Sequence, residues 1–401
     1  MFARTLSLYK NAYGGLSHST WWLSVVMLIN RSGTMVIPFM TMYLTQHMGV
    51  SISKAGFVMA MFGAGAVVGA FTGGKITDKI GYYYVQLFTL AGGGTMFIVV
   101  GQLRSYNAIC IGTFILAMVN EAFRPANSVA IAHYSREDNR TRSYSLNRLA
   151  INLGWALGGA MGGVIASFNY NLLFWVDGGT NICAAILLYK VLAPTRNIAT
   201  QQRKREPKVT GNSAYVDKRY LVFIFLVFLF AVCFFQLFTT LPVFYKEYFH
   251  LTVFFIGMIM AFNGLLISVI EMIIVFSLEG KKPAVHYISM GIILIGVSYF
   301  LLIVPGINKH WLAMLSMVAL TFGEIFSMPF MNSFWVVRTL PHNRGQYAAL
   351  YTIAWASAQA IGPFLGSIVA QNYGYKVLWI TIGCICIILS AGYRLLREKS
   401  Q

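Results

Sequence analysis

Acidic residues are scarce in this 401-residue chain: 12 Asp and Glu stand against 30 Lys and Arg, and charged residues of both signs make up only 10%. A soluble domain carries about a quarter charged residues. The deficit, with 57% apolar and 15% aromatic side chains and a mean hydropathy of +0.66, excludes a soluble fold and points to a membrane protein. Cysteine is also sparse, and Cys110, Cys183, Cys233, Cys384 and Cys386 all fall in apolar runs. The closing CxC lacks companion ligands, so the five read as small buried apolar residues, not as a disulfide framework or metal site. The seven histidines form no HxxxH or HExxH pattern, and no metal or other cofactor is expected. No nucleotide loop and no nucleophile–base set is visible, which argues against an enzyme. The energy for any transport must then come from an ion gradient or from the substrate's own.

A membrane-spanning helix needs about 20 mainly apolar residues. Twelve stretches qualify: 19–46, 54–76, 82–103, 107–132, 142–168, 172–193, 219–246, 253–279, 283–305, 310–337, 344–371 and 376–394. The polar start, MFARTLSLYKNAYGGLSHST, precedes an apolar run too long for a cleavable signal, so that run is expected to remain as the first span. The one long polar segment, 193–219, divides the spans six and six. The expected fold is therefore an all-α membrane protein of twelve transmembrane helices, with an N-terminal bundle at 1–193, a linker at 194–218 and a C-terminal bundle at 219–401.

The net charge of +18 would suggest nucleic acid in a soluble protein, but its placement is topological. Twenty-one Lys and Arg fall in loops on the side of the termini, against five (Lys54, Arg104, Lys246, Lys309, Lys376) on the other. The positive-inside rule then puts both termini in the cytoplasm, with the lipid bilayer as partner and no nucleic acid. The halves repeat as well. Pro38 and Pro242, Pro125 and Pro329, Asn139-Arg140 and Asn343-Arg344, Gly158 and Gly362, and Gly162 and Gly366 are all 204 residues apart. Six helices that repeat in parallel fit two bundles related by an axis along the membrane normal, able to rock about a site between them.

Between the second and third spans, GGKITDKIGYYYV resembles the major facilitator superfamily signature G-x-x-x-D-[RK]-x-G-[RK]-[RK] through Gly74, Asp78, Lys79 and Gly81, with Tyr82 and Tyr83 in place of the basic pair. In the fifth span, GWALGGAMGG is similar to the antiporter motif G-x-x-x-G-P-x-x-G-G with Gly159 for the proline, and AQAIGPFLGS mirrors it in the eleventh. The resemblance covers essentially the whole chain. It implies that Asp78 latches a gate at the cytoplasmic end, by meeting a helix N-terminus or a nearby arginine, with Gly74, Lys79, Gly81 and Arg148 in the gating set. LINRSGTMVIPFMTMYL, FRPANS and NRLAINLGWALGG look like the twelve-helix multidrug-resistance, drug/proton antiporter branch.

Six ionisable residues lie deep in the spans: Arg31, Glu121, Arg124, Arg148, Glu271 and Glu324. The third, sixth, ninth and twelfth spans are expected to carry no charge near their centres, as suits outer supports. An embedded charge is costly and normally faces a cavity or a partner. Glu121 and Arg124 share a helical face and should pair, with Arg31 and Arg148 near enough to compete. Glu271 and Glu324 have no local base, which makes them, with Glu121, the candidate proton carriers. Glu324 could instead pair with a first-half arginine across the interface and act as a gate. The candidate substrate contacts are Asn30, Arg31, Arg124, Asn152, Gln236, Asn263, Glu324 and Trp355, with Tyr43, Trp155, Phe235 and Tyr351 as further lining. The resulting expectation is a monomeric, proton-coupled, multidrug-type exporter of small organic molecules in the bacterial inner membrane. A second reading is proton-coupled uptake of peptides or other zwitterions. It rests on partial resemblance of Asn30-Arg31, Arg124-Pro125 and Gly323-Glu324 with Pro329 to the motifs of proton-coupled oligopeptide transporters, whose ExxER glutamates are absent.

Overall fold

The computed structural model describes residues 10–50, 52–194 and 213–396. Most of the expected linker, with Arg196, Arg203, Lys204, Arg205 and Lys208, lies outside the described residues, as do Arg4, Arg397 and Lys399 at the chain ends. The described chain is almost entirely helical and contains no strand. Among the described residues, ten helices are long and apolar enough to cross a membrane. Two features bring the number of spans to twelve. The helix Arg344–Leu395 holds two spans, divided at Gly374, whose φ of 82° is open to glycine and strained for other residues. The first span is broken into two shorter helices, His18–Ser32 and Val36–Met42.

The break is a repeated feature. The seventh span is likewise interrupted, running Lys218–Phe234, a tight turn at Phe235–Phe238, and then Thr240–Glu247. Pro38 and Pro242 each stand third in the segment beyond the break. There the missing N–H removes a donor that has no helical partner anyway. Asn139 and Asn343 repeat too: each side-chain oxygen accepts the backbone N–H three residues earlier, from Arg136 and Leu340, at 2.9 Å in both cases. Pro125 and Pro329 behave differently. The fourth span is interrupted at Ala122 (Tyr106–Glu121, then Phe123–Tyr134), whereas the tenth, Lys309–Val337, continues through its proline.

Small residues set the seams, as the close approach of helices in lipid requires. In the fifth span, Arg140–Phe168, a Cβ on Gly154 or Gly158 would lie 2.5 Å from the Cβ of Arg31 or 3.0 Å from the carbonyl of Ser32, so this helix presses on the first. The eleventh span repeats the contact on the seventh, where Gly366 leaves room for the Gln236 side chain. Gly94 and Gly178 join the third span (Tyr82–Gln102) to the sixth (Tyr170–Val191), and Gly291 and Gly323 join the ninth (Ala284–Leu301) to the tenth. The halves meet where the second and fourth spans pack on the long helix Arg344–Leu395, and where the fifth packs on the eighth (Val253–Leu278) and tenth.

The expectation that the sixth span lacks a deep charge is overturned by Asp177. Its side chain is fully buried, and its carboxylate accepts the N–H groups of Met35, at 3.0 and 3.1 Å, and of Val36, at 2.8 Å. It caps the outer segment of the first span, whose first N–H groups are otherwise orphaned by the break. The residue carries no cationic neighbour in sequence, so its role is invisible without the fold. Asp177→Ala is expected to lower stability by about 1–3 kcal/mol, the cost of buried donors left unsatisfied. Thermal unfolding in detergent, compared with Asp177→Asn, measures it; equal melting of Asp177→Ala and the parent would remove the cap from the account.

Candidate functional site

Arg148 of the fifth span reaches across the interface and binds two carboxylates of the second half. One terminal nitrogen lies 2.5 Å from Glu271 Oε2 and the other 2.6 Å from Glu324 Oε2. Both glutamates are buried. Glu324 is held further by Asn263, whose amide donates to Glu324 Oε1 at 3.0 Å and to the Thr321 hydroxyl at 2.9 Å, while Thr321 donates to the Met317 carbonyl at 2.7 Å. The planar guanidinium fork suits this double contact, which a lysine would meet only as a point charge.

The other embedded charges fall in the first half. Arg124 Nε meets Glu121 Oε2 at 2.7 Å, as the three-residue spacing suggests. The Arg124 side chain is 31% exposed and the Glu121 side chain 7%. A guanidinium that open at mid-span is costly against lipid, and such a group normally faces a cavity or a partner. Arg31 is buried nearby, within electrostatic reach of both, and its Nε has no hydrogen-bond partner. Arg148 does not compete for Glu121, because the second-half glutamates hold it. Arg124 and Glu324, whose twin prolines invite the idea that they face each other, are each committed to another partner.

Several expected substrate contacts turn out to be bonded inside the halves. Asn30 donates to Asn181 of the sixth span at 2.7 Å. Gln236 donates to the Val232 and Gly362 carbonyls at 3.0 and 2.8 Å and accepts from Thr240 at 2.8 Å, tying the broken seventh span to the eleventh. Asn263 positions Glu324. Asn152 and Trp155 keep open positions: they follow Arg148 by four and seven residues and so share its helical face, with Asn152 half-buried and Trp155 exposed. Trp355 is half-buried amid Phe230, Phe234 and Phe235, with ring centroids 5.8–6.1 Å away, and Tyr351 lies 6.3 Å from it. Tyr43 is buried among Tyr170 and Phe174 in the outer part of the first half.

Further contacts close the end of the bundle that carries the basic loops. Asp78 accepts the backbone N–H groups of Gly345 at 2.7 Å and Gln346 at 3.0 Å, in the first turn of the eleventh span. A carboxylate there meets both the orphan donors and the positive end of the helix dipole. The motif glycines have matching reasons. A Cβ on Gly74 would sit 2.4 Å from Ala349 Cβ across the interface, and Gly81, with φ of 91°, makes the turn into the third span. Lys79 is exposed. A second latch has no signature in the sequence. Glu279, just past the eighth span, lies 3.1 Å from Arg142 Nε and accepts the Thr141 N–H at 2.7 Å. Burial pushes its carboxyl above the usual range, and the bonds from Thr141 and Arg142 draw it back. Residues 141 and 142 lie just beyond Asn139-Arg140, which the repeat marks without hinting at a partner 137 residues away.

No group of three or more His, Cys, Asp or Glu able to hold a metal occurs among the described residues. The arrangement is that of two helical halves locked at one end by ionic and backbone contacts over buried acids and bases. The family model described as the Major Facilitator Superfamily matches residues 21–362 and 287–401. The uncharacterized MFS-type transporter YttB of Bacillus subtilis is 23% identical over 381 residues, covering 94% of each chain. The multidrug resistance protein MdtG of Proteus mirabilis is 27% identical over 183 residues, 44% of each chain. Among solved structures, the MFS transporter FucP in its outward conformation superposes with a TM-score of 0.74 at 10% identity, over 95% of this chain and 99% of that one. With the family model matched along nearly its whole length, the chain belongs to the Major Facilitator Superfamily and is a multi-pass membrane transporter of small molecules, not an enzyme.

Proposed function

We propose that the protein is a proton-coupled efflux antiporter that moves small, largely apolar organic molecules by alternating access. In this reading it acts as a monomer in the bacterial inner membrane, with both termini in the cytoplasm and the bundles 1–193 and 219–401 rocking about the linker 194–218. The observation that carries the reading is the single arginine, Arg148, holding Glu271 and Glu324 across the interface between halves. A charged lock of this kind is sensitive to protonation, because removing charge from a carboxylate weakens its hold on the guanidinium. Its release, together with the Asp78 and Glu279 latches, lets the basic end open. The half-length likeness to a protein named for multidrug resistance supports the efflux direction. The cavity-facing set is then Arg31, Arg124, Asn152, Trp155, Tyr351 and Trp355, a few fixed charges with aromatic faces, which suits amphiphilic substrates.

The zwitterion reading keeps one support. The open Arg124 with Arg31 behind it offers a positive pole for a carboxylate. Its proposed amine partner, Glu324, is engaged on both oxygens.

In proteoliposomes, Glu324→Gln is expected to abolish accumulation driven by an imposed proton gradient while leaving substrate exchange; unchanged accumulation would remove Glu324 from coupling. Arg124→Ala should weaken carboxylate-bearing substrates more than neutral analogues if Arg124 binds them. A fall in melting temperature without that discrimination assigns Arg124 to pairing with Glu121 alone. Asp78→Ala should speed hydrogen exchange at the Gly345 and Gln346 amides, read by mass spectrometry, and unchanged protection there would refute the latch.

A further inference from the structure

The interface cluster holds one guanidinium against two buried carboxylates, an uncompensated negative charge if both are ionised. Burying an unpaired charge costs several kcal/mol, so the cluster is expected to hold a proton. Hydrogen-bond accounting locates it. Thr321 spends its hydrogen on the Met317 carbonyl, so it can only accept from Asn263, which orients the Asn263 NH2 group toward both Thr321 and Glu324 Oε1. Glu324 Oε1 therefore accepts from Asn263 and Oε2 from Arg148, and neither oxygen has need of a proton. Glu271 differs. Its Oε2 faces Arg148, but its Oε1 is buried and closes no hydrogen bond, with the Ser145 hydroxyl as the polar neighbour in reach of this carboxyl. That hydroxyl, one helical turn before Arg148, is likewise buried and closes no hydrogen bond. Both residues line a small cavity with Ser268 and Tyr13.

We infer that in this closed state the proton resides on Glu271 Oε1, directed into that cavity toward Ser145. Arg148 and Glu324 then form a neutral ion pair beside a neutral Glu271. The two glutamates titrate as a coupled pair. The groups that face Glu271 are Arg148 and Ser145 of the fifth span, Glu324 of the tenth and Tyr13 of the N-terminal segment. The cavity is small, with Leu146, Leu149, Ile267 and Met272 as its apolar walls, and its polar side suits a single water bridging Glu271 Oε1 and the Ser145 hydroxyl, since a buried water takes the place of missing partners for such atoms. Release breaks the Glu271 O–H bond, transfers the proton to that water as hydronium and leaves a Glu271 carboxylate on Arg148. Glu271 would thus be the exit side of the lock, and Ser145 a positioning residue for the proton. This deepens the proton-coupled reading and rests on it.

Infrared difference spectroscopy of the full-length protein in lipid at neutral pH tests the assignment without transport. A carbonyl stretch of a protonated carboxylic acid is expected, lost in both Glu271→Gln and Glu324→Gln because the remaining glutamate then pairs alone with Arg148. Taking differences against these variants cancels any signal from Asp177. Ser145→Ala should shift the band to higher frequency, and Asn263→Ala should leave it in place. A band that moves with Asn263→Ala puts the proton on Glu324 and overturns the inference. So does a band that moves with neither variant, or no band at all. If the band behaves as expected but proton gradients drive no transport, the coupling reading fails and the location of the proton stands.

Discussion

Everything between the two halves turns on a charge imbalance that lipid does not tolerate. The first half places Arg148 at its inner face, the second half places two buried glutamates, and neither arrangement is stable alone in a low-dielectric interior. Bringing the halves together neutralises most of that charge, and the geometry is good enough to matter: two short contacts from one planar fork, with Asn263 completing the shell of Glu324. Such a lock is strong when closed and becomes costly when one partner changes protonation. That property makes an ion cluster a suitable control point for a rocking interface, whereas a purely apolar seam would have no comparable handle.

The rest of the architecture divides labour around this cluster. Within each half, glycines bring helices into backbone contact, the fifth span on the first and the eleventh on the seventh. Those seams are rigid because any added side chain would collide with its neighbour. Between the halves, beside the close approach of Gly74 to Gly345 and Ala349, stand contacts that are ionic or run from carboxylate to backbone: Arg148 with its glutamates, Asp78 on the eleventh span's N-terminus, and Glu279 on Arg142 and Thr141. Contacts of this kind exchange readily for water, so the same helices stay packed inside each half while the surface between them opens. The repeated backbone features, broken first and seventh spans with prolines just beyond the breaks, give both halves the same framework. The chemistry carried on it is different: a partly exposed acid–base pair in the first half, paired carboxylates and an aromatic cluster in the second.

Much of this framework was legible in the sequence because membrane constraints leave local traces. Apolar runs of spanning length, the 204-residue offset and the GGKITDKIG motif are each readable without a partner. Asp78 sits where its motif placed it, against a helix N-terminus, and Glu121 pairs with Arg124 as their spacing suggests. Side chains whose meaning depends on a distant neighbour were harder. Asn30 and Gln236 read as cavity polar groups; in the structure the Asn30 amide donates to Asn181 and Gln236 bonds Val232, Gly362 and Thr240, all within their own halves. Asp177 gives no signal of its role in the sequence, because its partners are backbone N–H groups exposed by a helix break 142 residues away, which no residue type announces. Glu279, the last residue of the eighth apolar run, is silent for the same reason, its partners Thr141 and Arg142 lying far off in the chain.

By itself the sequence determined that the chain spans a membrane, that it does so twelve times in two repeated sets, and that a few charges must be hidden inside. These conclusions follow from hydropathy, loop charge and periodicity, which are properties of neighbouring residues. Only the tertiary structure decided which charges meet. Six embedded residues allow many pairings, and a one-turn difference in depth, or the face a glycine seam presents, selects among them. That selection joined Arg148 rather than Arg124 to Glu324 and left Glu271 lining a small cavity with one oxygen that closes no hydrogen bond. Pairing is a matter of ångströms between helices far apart in the chain, and it is there that the chemistry of the site was settled.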